Sequence, residues 1–279
     1  MRKAWVDGIN CQTTSILDRG LAYGDGLFET LLYESGKIHL LGSHLARLQA
    51  GATRLRISFA LETLQDELRD FLNEARAEGL VSDSQKAVLK IILSRGVGGR
   101  GYAFPEGART SQRVIMLFDH PAYPSSFQED GIHIRLCKTP VSVNAALAGL
   151  KHLNRLDSVM ARSEWDDPEI SEGLMLDEQR FIIEGTMSNL FMVCGNVLIT
   201  PSLQRAGVEG VMRAHLLILA DKYRVETRIR ESLTLEQLFD ADEVFVCNSI
   251  FGIWPVTRLE SKQWPVGKLT KTLQKWVHD

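Results

Sequence analysis

Three observations predict a mixed α/β fold, of the α/β or α+β class. Short apolar runs bounded by turn residues recur along the whole chain. Amphipathic helical spacing alternates with them in both halves. The chain has 279 residues, 44% hydrophobic and 24% charged. That is enough to bury a core without disulfides or metal, and it suits two domains. This composition excludes a disordered chain, a collagen-like fibre and a disulfide-rich mini-protein.

In chain order, Trp5 to Asn10 reads as a short strand closed by an Asp-Gly turn. Leu27 to Tyr33 is a second strand, and Lys37 to Leu40 a third after the Ser35-Gly36 turn. Ser43 is the expected N-cap of a helix carrying Leu45, Leu48, Ala52 and Leu55 on one face. A second amphipathic helix spans Leu61 to Ala77. Ala87 to Leu93 is an apolar strand, a glycine-rich loop follows, and Arg113 to Phe118 is the next strand. Two prolines and two serines within His120 to Ser126 mark a linker, placed at 119–127 between domains 1–118 and 128–279.

Beyond it, Ile132 to Cys137 is a strand and Asn154 to Trp165 a helix. Short strands follow at Gly173 to Leu176, Phe181 to Glu184, Asn189 to Val193 and Val197 to Thr200. A helix runs from Val211 to Lys222. A strand at Val225 to Arg230, a short helix from Thr234, a strand at Glu243 to Cys247 and a C-terminal helix complete the chain.

The charge balance is 32 Lys+Arg against 35 Asp+Glu, a net charge of −3. It implies no general attraction for nucleic acid or an anionic membrane. Cys11, Cys137, Cys194 and Cys247 form no CxxC pair, so no metal or redox site is expected, only reduced and mostly buried thiols. The first eight residues, Met1 to Gly8, lack the apolar core of a signal peptide, and no apolar run approaches a membrane span. The expectation is a cytoplasmic protein.

Gly96-Val97-Gly98-Gly99-Arg100-Gly101 matches GxGxxG after a strand. A dinucleotide site also needs a helix opening at the last glycine, which Pro105 and Gly107 disfavour. A loop over a pocket, or a plain strand connection, is expected instead.

Four segments and one arginine suit an anionic, nitrogen-heterocyclic cofactor. Lys151 stands at a loop-to-helix transition among mostly apolar neighbours. In a pocket, desolvation lowers a lysine's pKa and suits it to Schiff-base chemistry; on the surface it is an ordinary helix-start lysine. Glu184 ends an apolar strand, where a carboxylate either faces solvent or bonds a protonated ring nitrogen. Gly210, Val211 and Met212 open a helix whose N–H groups suit phosphate. Asn248 and Ser249, at a strand end, could cap the same phosphate, and Arg47, on the first helix, either adds a guanidinium there or is an ordinary surface helix residue.

On these segments the chain resembles the fold-type IV pyridoxal-phosphate enzymes, the class IV aminotransferase family. The family holds branched-chain and D-amino-acid aminotransferases and aminodeoxychorismate lyases. The matching run extends from Glu184 through Asn189-Leu190-Phe191 and Leu198-Ile199-Thr200 to Val208-Glu209-Gly210-Val211-Met212-Arg213. Tyr23-Gly24-Asp25-Gly26 matches near the start. Ser94 to Tyr102 and Gly149 to Leu156 look like the lyase branch. Where branched-chain aminotransferases carry a tyrosine that bonds the cofactor's phenolic oxygen, this chain has Asn154-Arg155. Either residue is a candidate for that contact.

The resemblance implies two α/β domains with pyridoxal 5′-phosphate in the cleft between them. It also implies a homodimer whose N-terminal domain contributes to the neighbour's site. The implied reaction converts 4-amino-4-deoxychorismate to 4-aminobenzoate and pyruvate, a step toward folate. Lys151 would carry the cofactor and then act as general base. Arg100, Tyr102 and Arg155 would meet the substrate carboxylates. Thr30 would assist proton handling, or be an ordinary β-branched strand residue. An aminotransferase with the same cofactor residues is the alternative within the family, and a non-catalytic scaffold the alternative outside it.

Overall fold

The computed structural model describes residues 1–104 and 111–277 and is a mixed α/β structure, as the sequence predicts. It divides into two units. The first is Met1–Pro121 with Lys151–Asn154; the second is Ala122–Leu150 with the chain from Arg155 onward. The lysine stretch, assigned by sequence to the C-terminal half, thus packs with the N-terminal residues.

Unit 1 opens with a hairpin of β1 (Lys3–Val6) and β2 (Ile9–Asn10). One expected strand is two, because Asp7 and Gly8 both take left-handed angles and reverse the chain. A helical turn α1 (Arg19–Tyr23), missed in the sequence, is capped by the Asp18 carboxylate on the Gly20 and Leu21 N–H groups. Then come β3 (Gly26–Glu34), β4 (Lys37–Ile38), α2 (Leu41–Leu55), α3 (Leu61–Ala77), β5 (Ala87–Ser94) and β6 (Gln112–Asp119). Leu40, not Ser43, precedes α2, and no side chain caps that helix.

The six strands form one antiparallel sheet in the order β2-β1-β6-β5-β3-β4. Strand alternation decides its faces. Leu27, Glu29, Leu31 and Tyr33 of β3 are buried, while Phe28, Thr30 and Leu32 between them are half-buried. On α3, Leu64, Leu68, Phe71, Leu72 and Ala75 recur at helical spacing and are all buried. Residues 96–104 contain no helix, and Val97 bridges to Asp18. Pro105 and Gly107, on which the rejection of a dinucleotide site rested, lie outside the described residues.

The first element of unit 2 is α4 (Ser126–Glu129), a helical turn that starts inside the stretch 119–127 read as linker and ends beyond it. It continues with β7 (Ile132–Leu136), α5 (Leu156–Arg162), β8 (Ile170–Leu176), β9 (Ile182–Gly185), β10 (Asn189–Cys194), β11 (Val197–Pro201), α6 (Val211–Lys222) and β12 (Thr227–Arg230). The helix expected from Asn154 starts only at Leu156 and ends at Arg162. Last come α7 (Leu235–Phe239), β13 (Glu243–Asn248), β14 (Gly252–Leu259), β15 (Lys262–Gln263) and α8 (Lys268–Trp276). Thr234 and Gln237 close a reciprocal capping box on α7.

The nine-stranded sheet runs β12-β11-β10-β13-β14-β7-β8-β9, with β15 beside β14. Its middle strands β10 and β13 are buried on both faces, which explains their unbroken apolar sequences. Trp254 anchors the core, stacked on Phe251 with ring centroids 3.7 Å apart and met edge-on by Tyr123 and Phe127. All four cysteines are free of disulfides, but only Cys137 and Cys247 are buried. Burial pushes both of those thiols up to about 12. Among the described residues no helix is long and apolar enough to cross a membrane.

Candidate active site

The chemistry-bearing residues divide between the units. In unit 1, Lys151 is half-buried and held by backbone bonds to β3. The Phe28 N–H donates to the Lys151 carbonyl at 2.9 Å, and the Leu153 N–H to the Gly26 carbonyl at 3.0 Å. The ammonium lies 4.3 Å from the centre of the Phe28 ring, and Lys90 approaches the same ring at 5.1 Å. Lys90 is paired across the strands with Thr30, so Phe28, Thr30 and Lys90 share a sheet face. Sequence reading passed over Lys90, although a lone charge in an apolar strand was the available signal.

Asn154 is exposed and its amide donates to the Gly24 carbonyl at 3.1 Å. Gly24 has φ +64, and a Cβ there would collide with the Asn154 amide, so glycine is required twice over. Beside it, Asp25 accepts from Arg19 at 2.9 Å and from Arg95 Nε and Nη2 at 2.8 and 2.9 Å. Burial opposes its ionisation, but the Arg95 and Arg19 contacts outweigh burial and hold the carboxyl below its ordinary range. Arg19 also donates to the Gly101 carbonyl, and Gly101 N–H to the Tyr23 hydroxyl. These bonds hold the glycine-rich loop at its base. Arg100 and Tyr102 are exposed on that loop.

Arg47 comes from α2 and is met by a carboxylate that the sequence reading missed. Glu29, 1% exposed, accepts Arg47 Nε at 2.8 Å and Nη2 at 2.5 Å in a two-pronged pair. Its Oε2 also lies 2.6 Å from His44 Nδ1. Burial works against charge on Glu29, yet the bonds from Arg47 and His44 hold its carboxyl below the usual range. Burial pulls His44 the other way from its partner's influence, leaving its pKa lowered. The legible sign was a glutamate in the buried phase of β3, facing a His and an Arg three residues apart on one helix.

In unit 2, Glu184 is buried at the end of β9. Its Oε2 accepts the Val208 N–H at 2.9 Å and the Asn189 amide at 3.3 Å. The following loop is fixed by a second buried carboxylate, Glu172 of β8. Glu172 takes the Thr186 and Ser188 hydroxyls at 2.5 and 2.7 Å and the Gly173, Thr186 and Met187 N–H groups. Gly149 N–H donates to Gly207, and Glu209 N–H to Gly149, so the residues before the lysine pair with the loop that opens α6.

Gly210 is the N-cap of α6 and offers no side chain, so no side-chain bond covers the helix start. A Cβ on Gly210 would collide with Asn189, and one on Gly207 would crowd Ile183 and Glu184. The backbone at 207–210 is therefore packed close against the Glu184 carboxylate. Val211, Met212 and Arg213 are buried. Arg213 donates to Thr200 Oγ1 at 3.2 Å and to the Pro201 carbonyl at 3.0 Å. Asn248 uses its amide within unit 2: Oδ1 accepts from the Ile250 and Phe251 N–H groups, and Nδ2 donates to Met187. Ser249 beside it is half-buried. Arg155 precedes α5; burial lowers its pKa, while Glu184 and Asp157 oppose that shift.

A buried carboxylate on hydrogen-bond donors, a bare helix start, a hydroxyl and an arginine make a donor set for a ring N–H and a phosphate. Lys151, in unit 1, carries an amine. These residues fit an anionic pyridine cofactor.

Comparison with known proteins agrees in extent. Residues 26–259 match the family model for "Amino-transferase class IV". The chain is 37% identical over 276 residues to an aminodeoxychorismate lyase of Vibrio harveyi, covering 97% of each. It is 30% identical to a putative branched-chain-amino-acid aminotransferase of Methanocaldococcus jannaschii, covering 95% of this chain and 90% of the relative. The crystal structure of a 4-amino-4-deoxychorismate lyase from Pseudomonas aeruginosa superposes with a TM-score of 0.92 at 45% identity, covering 99% and 98% of the two chains.

Proposed function

We propose, for a chain that belongs to the class IV aminotransferase family, that it is an enzyme converting 4-amino-4-deoxychorismate to 4-aminobenzoate and pyruvate. The observation that carries the reading is likeness over nearly the whole chain to two lyases, at 45% and 37% identity, against 30% to an aminotransferase.

The cofactor in this reading is pyridoxal 5′-phosphate, which when bound draws electrons from the carbon bearing the substrate amine. Lys151 Nζ binds it and, once displaced by the substrate amine, takes the proton from that carbon. Glu184 holds the ring N–H through a charge-assisted bond, with its carboxylate oriented by Asn189 and Val208. The Val211 and Met212 amides, approached closely over Gly210, hold the phosphate with Ser249 and Arg47, while Asn248 fixes the turn beside Ser249 through the Ile250 and Phe251 N–H groups. Arg155, whose charge Glu184 feels within unit 2, is the better partner for the phenolic oxygen, since Asn154 is tied to Gly24. Arg100 and Tyr102 meet the substrate carboxylates, and Thr30 assists proton transfer as the enolpyruvyl group leaves.

The enzyme in this reading is a cytoplasmic homodimer. Ile16, Leu17, Leu21 and Tyr102 on unit 1, and Leu156, Val159 and Met160 on unit 2, are exposed apolar surface that a second copy would cover.

The test is incubation with aminodeoxychorismate, following aminobenzoate fluorescence and pyruvate. Product without a 2-oxo-acid acceptor is expected, and Lys151→Ala abolishes it. Turnover only with an acceptor would make the chain an aminotransferase. Absence of a cofactor absorbance band sensitive to borohydride would leave a scaffold. Sedimentation velocity tests the dimer.

A further inference from the structure

Glu29 and His44 sit in the core phase of unit 1, where a charge is costly unless it is paired. Glu29 follows the strand alternation of Leu27, Leu31 and Tyr33, all buried. His44 is fully buried one helical turn before Arg47 on α2, beside Leu45 and Leu48. Neither residue has a part in the chemistry proposed above. They share one carboxylate with one guanidinium: Glu29 takes the Nε and Nη2 edge of Arg47, and His44 Nδ1 bonds the Glu29 oxygen that Nη2 also bonds.

The proton positions follow from chemistry. A carboxylate only accepts, so His44 Nδ1 carries the hydrogen facing it. His44 Nε2 is buried without a hydrogen-bond partner among the described residues. A bare lone pair there is cheaper to bury than an N–H, so the ring is neutral. The trio is then one anion, one cation and one neutral donor. Arg47 keeps its charge, but its plane is locked from one edge, which sets where the rest of the guanidinium faces. Its side chain is 15% exposed, enough to reach a ligand.

We propose that Glu29 and His44 are positioning residues that preset the Arg47 guanidinium for the phosphate ester of the cofactor, a role that rests on the reading of Arg47 as a phosphate ligand. A long arginine otherwise loses rotamer freedom when it binds, and a preset one has already lost it. The competing role for Glu29 is simple charge balance. The two differ in sign. Loss of a balancing anion strengthens Arg47's pull on phosphate, whereas loss of a positioning anion weakens it.

The experiment measures affinity of the full-length apoprotein for pyridoxal 5′-phosphate and for pyridoxal, which lacks the phosphate, by absorbance titration. Glu29→Gln should weaken pyridoxal phosphate about tenfold, the size of one charge-assisted contact, and leave pyridoxal unchanged. Arg47→Ala should weaken it at least as much. The double variant should match Arg47→Ala alone, because Glu29 acts only through Arg47. His44→Asn retains an N–H near the Nδ1 position and should bind like wild type, whereas His44→Leu should behave like Glu29→Gln. If Glu29→Gln does not fold, the His44 pair decides. Unchanged or tighter binding in Glu29→Gln, additive losses in the double variant, or equal behaviour of the two His44 variants overturns the positioning role while leaving Arg47 a phosphate ligand. Wild-type affinity in Arg47→Ala overturns the reading of Arg47 itself, and the positioning role with it.

Discussion

The two units hold most of their buried charges in different ways. Unit 1 pairs charge with charge at Glu29 with Arg47, Asp25 with Arg19 and Arg95, Lys3 with Glu74 and Glu78, and Arg113 with Glu67; Asp18, on the Ser94 hydroxyl and two N–H groups, is its exception. Unit 2 hydrogen-bonds its buried charges to neutral groups, with the charges of Arg155 and Arg213 acting on Glu184 besides. Glu184 rests on an amide and a backbone N–H, Glu172 on two hydroxyls and three N–H groups, Arg213 on a hydroxyl and a carbonyl. A charge already neutralised by an adjacent ion has a weakened field. One held by dipoles retains its full charge for a ligand. Unit 2 is thus built to present a carboxylate, and unit 1 to fix geometry.

The sharpest way to break that contrast is Glu184→Gln. The isosteric amide retains the strand end but loses the charge. Turnover should fall about 100-fold or more while the melting temperature barely moves. Near-normal rate would remove Glu184 from the ring nitrogen. Next in size is Glu29→Ala, which should lose about 3 kcal/mol in denaturant unfolding, because it removes the buried carboxylate that Arg47 and His44 share. A loss below about 1 kcal/mol would show that the unit 1 pair is replaceable and the contrast superficial. Ser249→Ala removes one neutral bond and should weaken cofactor retention on dialysis by about 1 kcal/mol, less than Arg47→Ala. The reverse order would shift the phosphate toward unit 2 groups alone.

The smallest effect is on acid stability. Burial lowers the pKa of His44 in unit 1 and of His215 in unit 2. The unfolded chain therefore takes up protons below about pH 6.5 that the native chain refuses. Stability is full above that pH and falls as pH drops toward the native values, by at most about 1.4 kcal/mol per pH unit for each proton. His44→Asn should flatten part of the slope between pH 7 and 5.5, leaving the His215 part. A steeper slope in the variant would mean His44 is charged in the native state, and an unchanged one would mean that folding leaves its pKa where it was.

Local signals were legible in the sequence, and pairings across the chain were not. α3 and α6 have the boundaries their spacing predicts, and β3 runs one residue further at each end, since period and strand propensity are local. β14 was missed because Pro255 interrupts it and reads as a breaker; its partner β13 supplies the pairing that the sequence hides. The helix start at Gly210 and the strand-end position of Glu184 were visible as punctuation. Glu29 was not singled out, because its meaning depends on a helix fifteen residues away. Asn154 and Asn248 read as ligands from their neighbours in sequence, but their amides are drawn to Gly24 and to the β13–β14 turn.

The four residues Lys151–Asn154 have a consequence for biosynthesis. The N-terminal end of β3 turns its outer backbone groups, the Phe28 N–H and the Gly26 carbonyl, toward Lys151 and Leu153, made 123 and 127 residues later. While the chain is being synthesised, unit 1 emerges with that edge bare until residue 154 has cleared the ribosome. A bare strand edge is a template for pairing with another chain. The lysine proposed to bind the cofactor and the latch that closes the first unit are therefore one segment, so a nascent chain that stalls before it lacks that lysine and also carries an open edge.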